Sequence, residues 1–126
     1  MKKVKVAIAI LIIMPILIGI SHIYLNHASD QMADKISDAE DSARNGDISL
    51  SEKQLDEFSV EWNNNKRIFA TFIRHAELDI ANQSAAKLKP YLRNADKSNF
   101  YGECETLKMQ MHHISETEKF SIDNIL

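Results

Sequence analysis

The chain has 126 residues, room for one small domain, and carries 15 Lys and Arg against 18 Asp and Glu. The residues from 28 onward hold all 18 acids but only twelve of the cations, so this part is near −6, and its acidity with no basic run argues against a nucleic-acid partner. A single cysteine, Cys104, excludes an internal disulfide and zinc sites built on paired cysteines, and three Gly and two Pro suit long helices with short joins.

The first element is apolar. Val6 to Leu25 contains no Asp, Glu, Lys or Arg, and Lys2, Lys3 and Lys5 precede it. At a rise of about 1.5 Å per residue such a run reaches about 30 Å, the thickness of a bilayer's hydrocarbon core. Two readings compete. A signal peptide would end at a small-x-small site such as Gly19-Ile20-Ser21, with cleavage before His22. An uncleaved anchor is favoured because apolar residues resume at Ile23, Tyr24 and Leu25. Pro15 is tolerated inside a membrane helix, and Tyr24 falls where an interfacial aromatic belongs. The lysines at the front and their absence from Asn26 to Asp34 predict a cytoplasmic N-terminus. The expected organisation is a basic cytoplasmic segment over 1–5, a transmembrane helix over 6–25 and an extracytoplasmic helical domain over 26–126.

No Gly or Pro lies between Ile20 and Asn45, while Leu25, Met32, Ile36, Ala39 and Ala43 form a helical stripe. The membrane helix is therefore expected to run on into the first helix of the domain and to end at Asn45-Gly46. Ser51-x-x-Gln54 reads as a capping box with Leu50 and Leu55 as its staple. The helix that follows places Leu55, Phe58, Trp62, Phe69, Phe72, Ile73 and Ala76 on one face, with Asn65 half-exposed within it. The change from Arg74 and His75 to Glu77 and Asp79 predicts a tight join near Ala76. A third helix carries Leu78, Ala81, Ala85, Leu88 and Leu92, with a kink or break expected at Ala86 to Pro90. Asp96 is the expected N-cap of a fourth helix presenting Phe100, Cys104, Leu107, Met111 and Ile114. Ser115-x-x-Glu118 reads as a further capping box, and Phe120 to Leu126 as an apolar end packed on the bundle or the membrane. Cys104 reads as a small buried apolar residue.

The fold class that follows is all-α: an N-terminal transmembrane helix, then a small antiparallel bundle of four helices in two helix hairpins. Gly46-Asp47 and Asn94-Ala95-Asp96 resemble the turns of hairpin repeats, but their separation of 49 residues is not the tetratricopeptide period of about 34.

Taken in order, the lysine-flanked span, the Gly46-Asp47 turn, Trp62 with Lys66, His75-Ala76-Glu77, Leu88 before the Asp96 turn, and the closing Asn124-Ile125-Leu126 resemble a bacterial family, domain of unknown function 4363. The resemblance covers nearly the whole chain, and Pro90 is unusual for the family's third helix. It implies a small single-span protein of Gram-positive bacteria, often encoded beside another membrane protein, and it transfers no activity and no site.

Histidine is the one residue type to weigh as a site. In an up-down bundle, His75, Glu77, His112 and His113 fall at the membrane-proximal end, where N and O ligands for zinc would converge. Against this, histidines near helix C-termini interact favourably with the dipole without a ligand, and adjacent His112 and His113 point about 100° apart. Trp62, Phe69, Phe72 and Phe100 at helical spacing read as core rather than as a ligand pocket. Asp38, Glu40, Asp41, Glu103 and Glu105 read as a solvated surface. No carboxylate pair, phosphate loop or nucleophile motif stands out, so no catalytic residue, cofactor or metal is assigned. The expected function is a non-enzymatic, membrane-anchored module whose partners are the bilayer and either another membrane protein or a second copy. A sensor of a metal or small ligand at the histidines is the alternative.

Overall fold

The computed structural model describes residues 1–125, and the side chains of all of these except Ser115 and 117–125. Four helices account for nearly all of it: α1 (Lys2–Arg44), α2 (Ile48–Phe72), α3 (His75–Arg93) and α4 (Lys97–Ile125). Among the described residues there is no strand. α1 packs against α2 and α4, and α3 packs against the same two, so the helices form a square with antiparallel neighbours. The core is the meeting of four stripes: Leu25, Met32, Ile36 and Ala39 of α1; Leu55, Phe58, Trp62 and Phe69 of α2; Leu78, Ala81, Leu88 and Leu92 of α3; and Phe100, Cys104, Leu107, Met111 and Ile114 of α4. Trp62 stacks on Phe58 and meets Phe69 edge-on, and its indole N–H donates to Asn82 Oδ1.

α1 is continuous across the change from apolar to polar sequence, as the lack of Gly and Pro after Ile20 predicts. The bundle starts earlier than the composition suggests. Leu25 is wholly buried in the bundle core, and Ile18, Gly19, Ser21 and His22 are partly covered. The residues from Val6 to Leu17 are exposed along their whole length.

Both turns at the far end share one design. After α1, Gly46 N donates to Ala43 O and Asp47 N to Ser42 O at 2.9 Å; after α3, Ala95 N donates to Leu92 O and Asp96 N to Tyr91 O at 2.9 Å. Each is a Schellman closure with a left-handed residue, Gly46 at φ 85° and Ala95 at φ 55°. In each the next residue is an aspartate that caps the following helix: Leu50 N donates to Asp47 Oδ1, and Asn99 N to Asp96 Oδ1.

Asp47 therefore replaces Ser51 as the cap of α2. Its carboxylate follows the Gly46 turn directly, so the helix begins one turn earlier and Ser51 falls inside it. There Ser51 is buried and its hydroxyl donates to Ala39 O at 2.7 Å, while Gln54 accepts from Ser42 Oγ at 2.6 Å. Leu50 is exposed, so no staple with Leu55 forms.

The α2–α3 join lies at Ile73 and Arg74, just before Ala76. Ile73 is extended and buried and Arg74 is extended, which places His75 at the start of α3 and Glu77 in its first turn, where the helix dipole favours an anion. Phe72 and Ala76 are exposed rather than in the core. Pro90 neither breaks nor ends α3: only three more helical residues follow, and Ala86, whose carbonyl loses its partner, faces solvent. α4 passes through Ser115 without a new start, there being no Gly or Pro after Gly102 to stop it. The packing expected of Phe120 to Leu126 lies outside the described side chains, and Leu126 outside the described residues.

Candidate functional site

Three polar groupings emerge from this frame. The first is a charged seam between α1 and α4. Glu40, expected on a solvated surface, is 2% exposed. It follows the core residue Ala39 directly and lies one helical turn beyond Ile36, on the half of α1 that meets α4. Two cations enclose it: Arg44 Nη2 at 2.9 Å and Lys108 Nζ at 2.8 Å. Lys108 also reaches Glu105 at 2.6 Å, and Arg44 lies over the Tyr101 ring at 4.9 Å. Burial works to lower the Lys108 pKa, but hydrogen bonds to Glu105 and Glu40 outweigh it and hold the ammonium above its usual range. The hydrogen bond from Lys108 holds the Glu105 carboxyl below its own. Cys104, beside this seam, is buried as expected, and burial with the nearby Glu40 charge pushes its thiol up to about 12. A thiol so protonated is not a nucleophile at neutral pH.

The second grouping is the histidine end. His113 Nε2 meets Glu77 Oε1 at 3.1 Å, joining α4 to the first turn of α3. His75 is exposed, and His112, about 100° round α4 from His113, borders a shallow depression with Ala33, Asp34, Ser37, Glu105 and Lys108 and makes no contact with Glu77. The structure thus brings together Glu77 and His113 and leaves His75 and His112 apart. The register of the α2–α3 join is the reason: His75 opens α3 instead of closing α2. Among the described residues, no three His, Cys, Asp or Glu side chains gather as a metal would require.

The third is a cleft of about 550 Å³ between the twin turns at the far end, lined by Ile48, Tyr91, Leu92, Phe100 and Tyr101 among others. Sequence reasoning missed it because its walls come from all four helices at the two turns. The likeness of Asn45-Gly46-Asp47 to Asn94-Ala95-Asp96 was the one signal that these turns are partners.

Ion pairs tie the remaining seams: Lys35 with Glu61 at 3.2 Å, Arg93 with Glu52 at 2.8 Å, Lys87 with Glu103 at 3.4 Å, and Lys89 with Asp56. All have at least one exposed partner, so solvent screens them and they serve mainly to set register.

Fold and seams together define a class: a four-helix bundle whose first helix extends beyond it and carries an apolar run that, by length and composition, could cross a membrane. The chain belongs to the family described as domain of unknown function (DUF4363), whose model matches residues 20–125. That match covers the bundle and begins where the bundle first touches α1. Comparison with curated proteins and with solved structures gave no match.

Proposed function

We propose that this protein is a non-enzymatic, membrane-anchored interaction module, an accessory to another membrane protein, with its bundle outside the cytoplasm. One observation carries the reading. A single uninterrupted helix joins the bundle core to an apolar segment that has nothing buried within the chain's own fold. Exposed apolar surface of that extent costs about 25 cal/mol per Å² in water, so it calls for a lipid environment. Retention of the segment as an anchor, rather than removal as a signal peptide, is supported by Leu25, Ala28 and Ser29. These positions continue the same helix straight into the core. The three N-terminal lysines support the orientation.

Binding rather than catalysis is supported by the use of Asp47, Asp96, Glu40 and Lys108 in helix caps and the α1–α4 seam. The test is crosslinking of the tagged full-length chain in its native membrane. One stoichiometric membrane protein, recovered with the full chain and lost when residues 46–126 are removed, is the expected result. Recovery of the chain alone would overturn the accessory reading.

A second reading, a sensor of a metal or small ligand, draws on the Glu77–His113 contact. Zinc should then raise the unfolding temperature of the full chain, and His113→Ala should remove that rise. A shift that survives His113→Ala would place any zinc elsewhere.

A further inference from the structure

The lower end of the bundle differs in chemistry from everything above it. Ser51 Oγ bonded to Ala39 O fixes the level of α2 against α1, and lower down Tyr24 donates to Asn65 Oδ1. From Asn65, α2 continues seven residues to Phe72, about 10 Å further along its axis. The α2–α3 tip therefore lies beside the partly covered residues Ile18, Gly19, Ser21 and His22, below Tyr24 and within the apolar run of α1.

The row of α2 that faces α1 changes character at the same level. Glu61 pairs with Lys35, Asn65 with Tyr24, and the next two positions in the row are Ile68 and Phe72, each 43% exposed. Ile80, in the first half of α3, is 45% exposed. In a domain that is otherwise acidic, residues 62–76 contain no Asp or Glu but include Lys66, Arg67 and Arg74, all exposed. Acids border the stretch: Glu61, which pairs with Lys35, Glu77, which His113 engages, Asp79, and Glu116, one helical turn past His113 on α4.

We propose that the α2–α3 tip is a lipid-docking element: Ile68 and Phe72 enter the bilayer interface beside the anchor, while Lys66, Arg67 and Arg74 bind anionic headgroups. Two features point to lipid rather than protein as the occupant. The tip is level with the anchor's own apolar residues, so the bilayer is the medium it meets. Apolar side chains ringed by Lys and Arg also match the interface of an acidic leaflet. The element would hold the bundle at one height and tilt above the membrane.

The proposal rests on the anchor reading, and one experiment separates the two. The full-length chain is reconstituted in vesicles of phosphatidylcholine, with or without phosphatidylglycerol. An environment-sensitive fluorophore is placed on Ile12→Cys, Phe72→Cys or Val60→Cys, one at a time. Buried Cys104 stays native, and the unaltered chain gives the blank. Nitroxide-bearing lipids should quench positions 12 and 72 and leave 60 bright. Quenching at 72 should be stronger with phosphatidylglycerol, and K66E/R67E/R74E should remove most of it without changing position 12. Quenching at 12 but not at 72 overturns the docking element and leaves the anchor standing. Absence of quenching at both positions overturns both. Equal quenching at 72 in neutral and acidic vesicles, unmoved by the triple variant, contradicts headgroup binding. Protection at 72 that tracks protein-to-lipid ratio makes the occupant a second copy instead.

Discussion

The two ends of the bundle are finished in opposite ways. At the far end, both turns close with Schellman hydrogen bonds and an aspartate cap, and the terminal backbone groups of four helix ends find partners. At the near end, the single turn has an extended Ile73 and an Arg74 that makes no side-chain cap, with Phe72 and Ile68 facing outward. The first construction suits water, where a frayed end would have nothing to prevent it but its own caps. The second suits a surface that supplies contacts from outside the chain. The contrast teaches that the bundle has a built-in polarity: a shared core runs through both ends, but only the far end closes its turns with paired caps.

That comparison can be broken from either side. The largest effect is expected where the two ends share a core. Phe69→Ala, at the near end, and Leu107→Ala, nearer the middle, remove wholly buried side chains and should each cost about 3–5 kcal/mol in denaturant unfolding. By contrast Phe72→Ala should cost well under 1 kcal/mol, because an exposed side chain leaves no cavity. A Phe72→Ala loss as large as that of Phe69→Ala would mean the tip is core and not a docking element.

Next is the α1–α4 seam. Glu40→Ala leaves Lys108 and Arg44 without their buried acceptor and should cost about 2–3 kcal/mol, less than a fully buried pair because both cations reach solvent. The double variant Glu40→Ala with Lys108→Met should recover part of that loss, and a fully additive result would contradict coupling.

Smaller effects come from the twin turns. Gly46→Ala puts a Cβ on a residue at φ 85° and should destabilise by about 1 kcal/mol. Ala95→Gly relieves the same strain at its counterpart and should stabilise by up to about 1 kcal/mol. If the two substitutions shift the unfolding midpoint in the same direction, the turns are not equivalent.

The smallest effect is in pH. The Glu105 pKa is held down by Lys108, so its contribution is complete above the ordinary carboxylate range and fades as pH falls through the depressed value. The Lys108 pKa is held up, so its contribution is complete below the ordinary lysine range and fades only as pH rises through the raised value. Both are intact at neutral pH. Lys108→Met should flatten the acid limb of the thermal-unfolding profile slightly, Glu105 being largely exposed, and an unchanged acid limb would contradict the assignment.

Much of the fold was legible in the sequence because it is written in periodicity. The stripes through Met32 and Ile36, through Phe58 and Trp62, and through Cys104 and Leu107 each meet the core the spacing predicts. Where reading failed, two local signals competed. Ser51 and Asp47 are both capping residues, and the Gly46 turn decides for Asp47. The sign change at Arg74 to Glu77 marked a join correctly but not its register, and that error carried His75 to the wrong helix end. Glu40 looked like one acid among several, since only the packing of α4 on α1 makes it buried. The tip chemistry was present in the sequence as an acid-free stretch, but its meaning depends on depth, which the Ser51–Ala39 and Tyr24–Asn65 contacts supply.

Depth is also what one labelling experiment reads most directly. Asn94→Cys, at the far end, and Phe72→Cys, at the near end, are exposed in intact cells to a membrane-impermeant maleimide. The account predicts rapid labelling at 94, and labelling at 72 only after detergent. Equal labelling at both positions in intact cells would contradict the polarity of the bundle, and labelling at 94 only after lysis would place it on the cytoplasmic side.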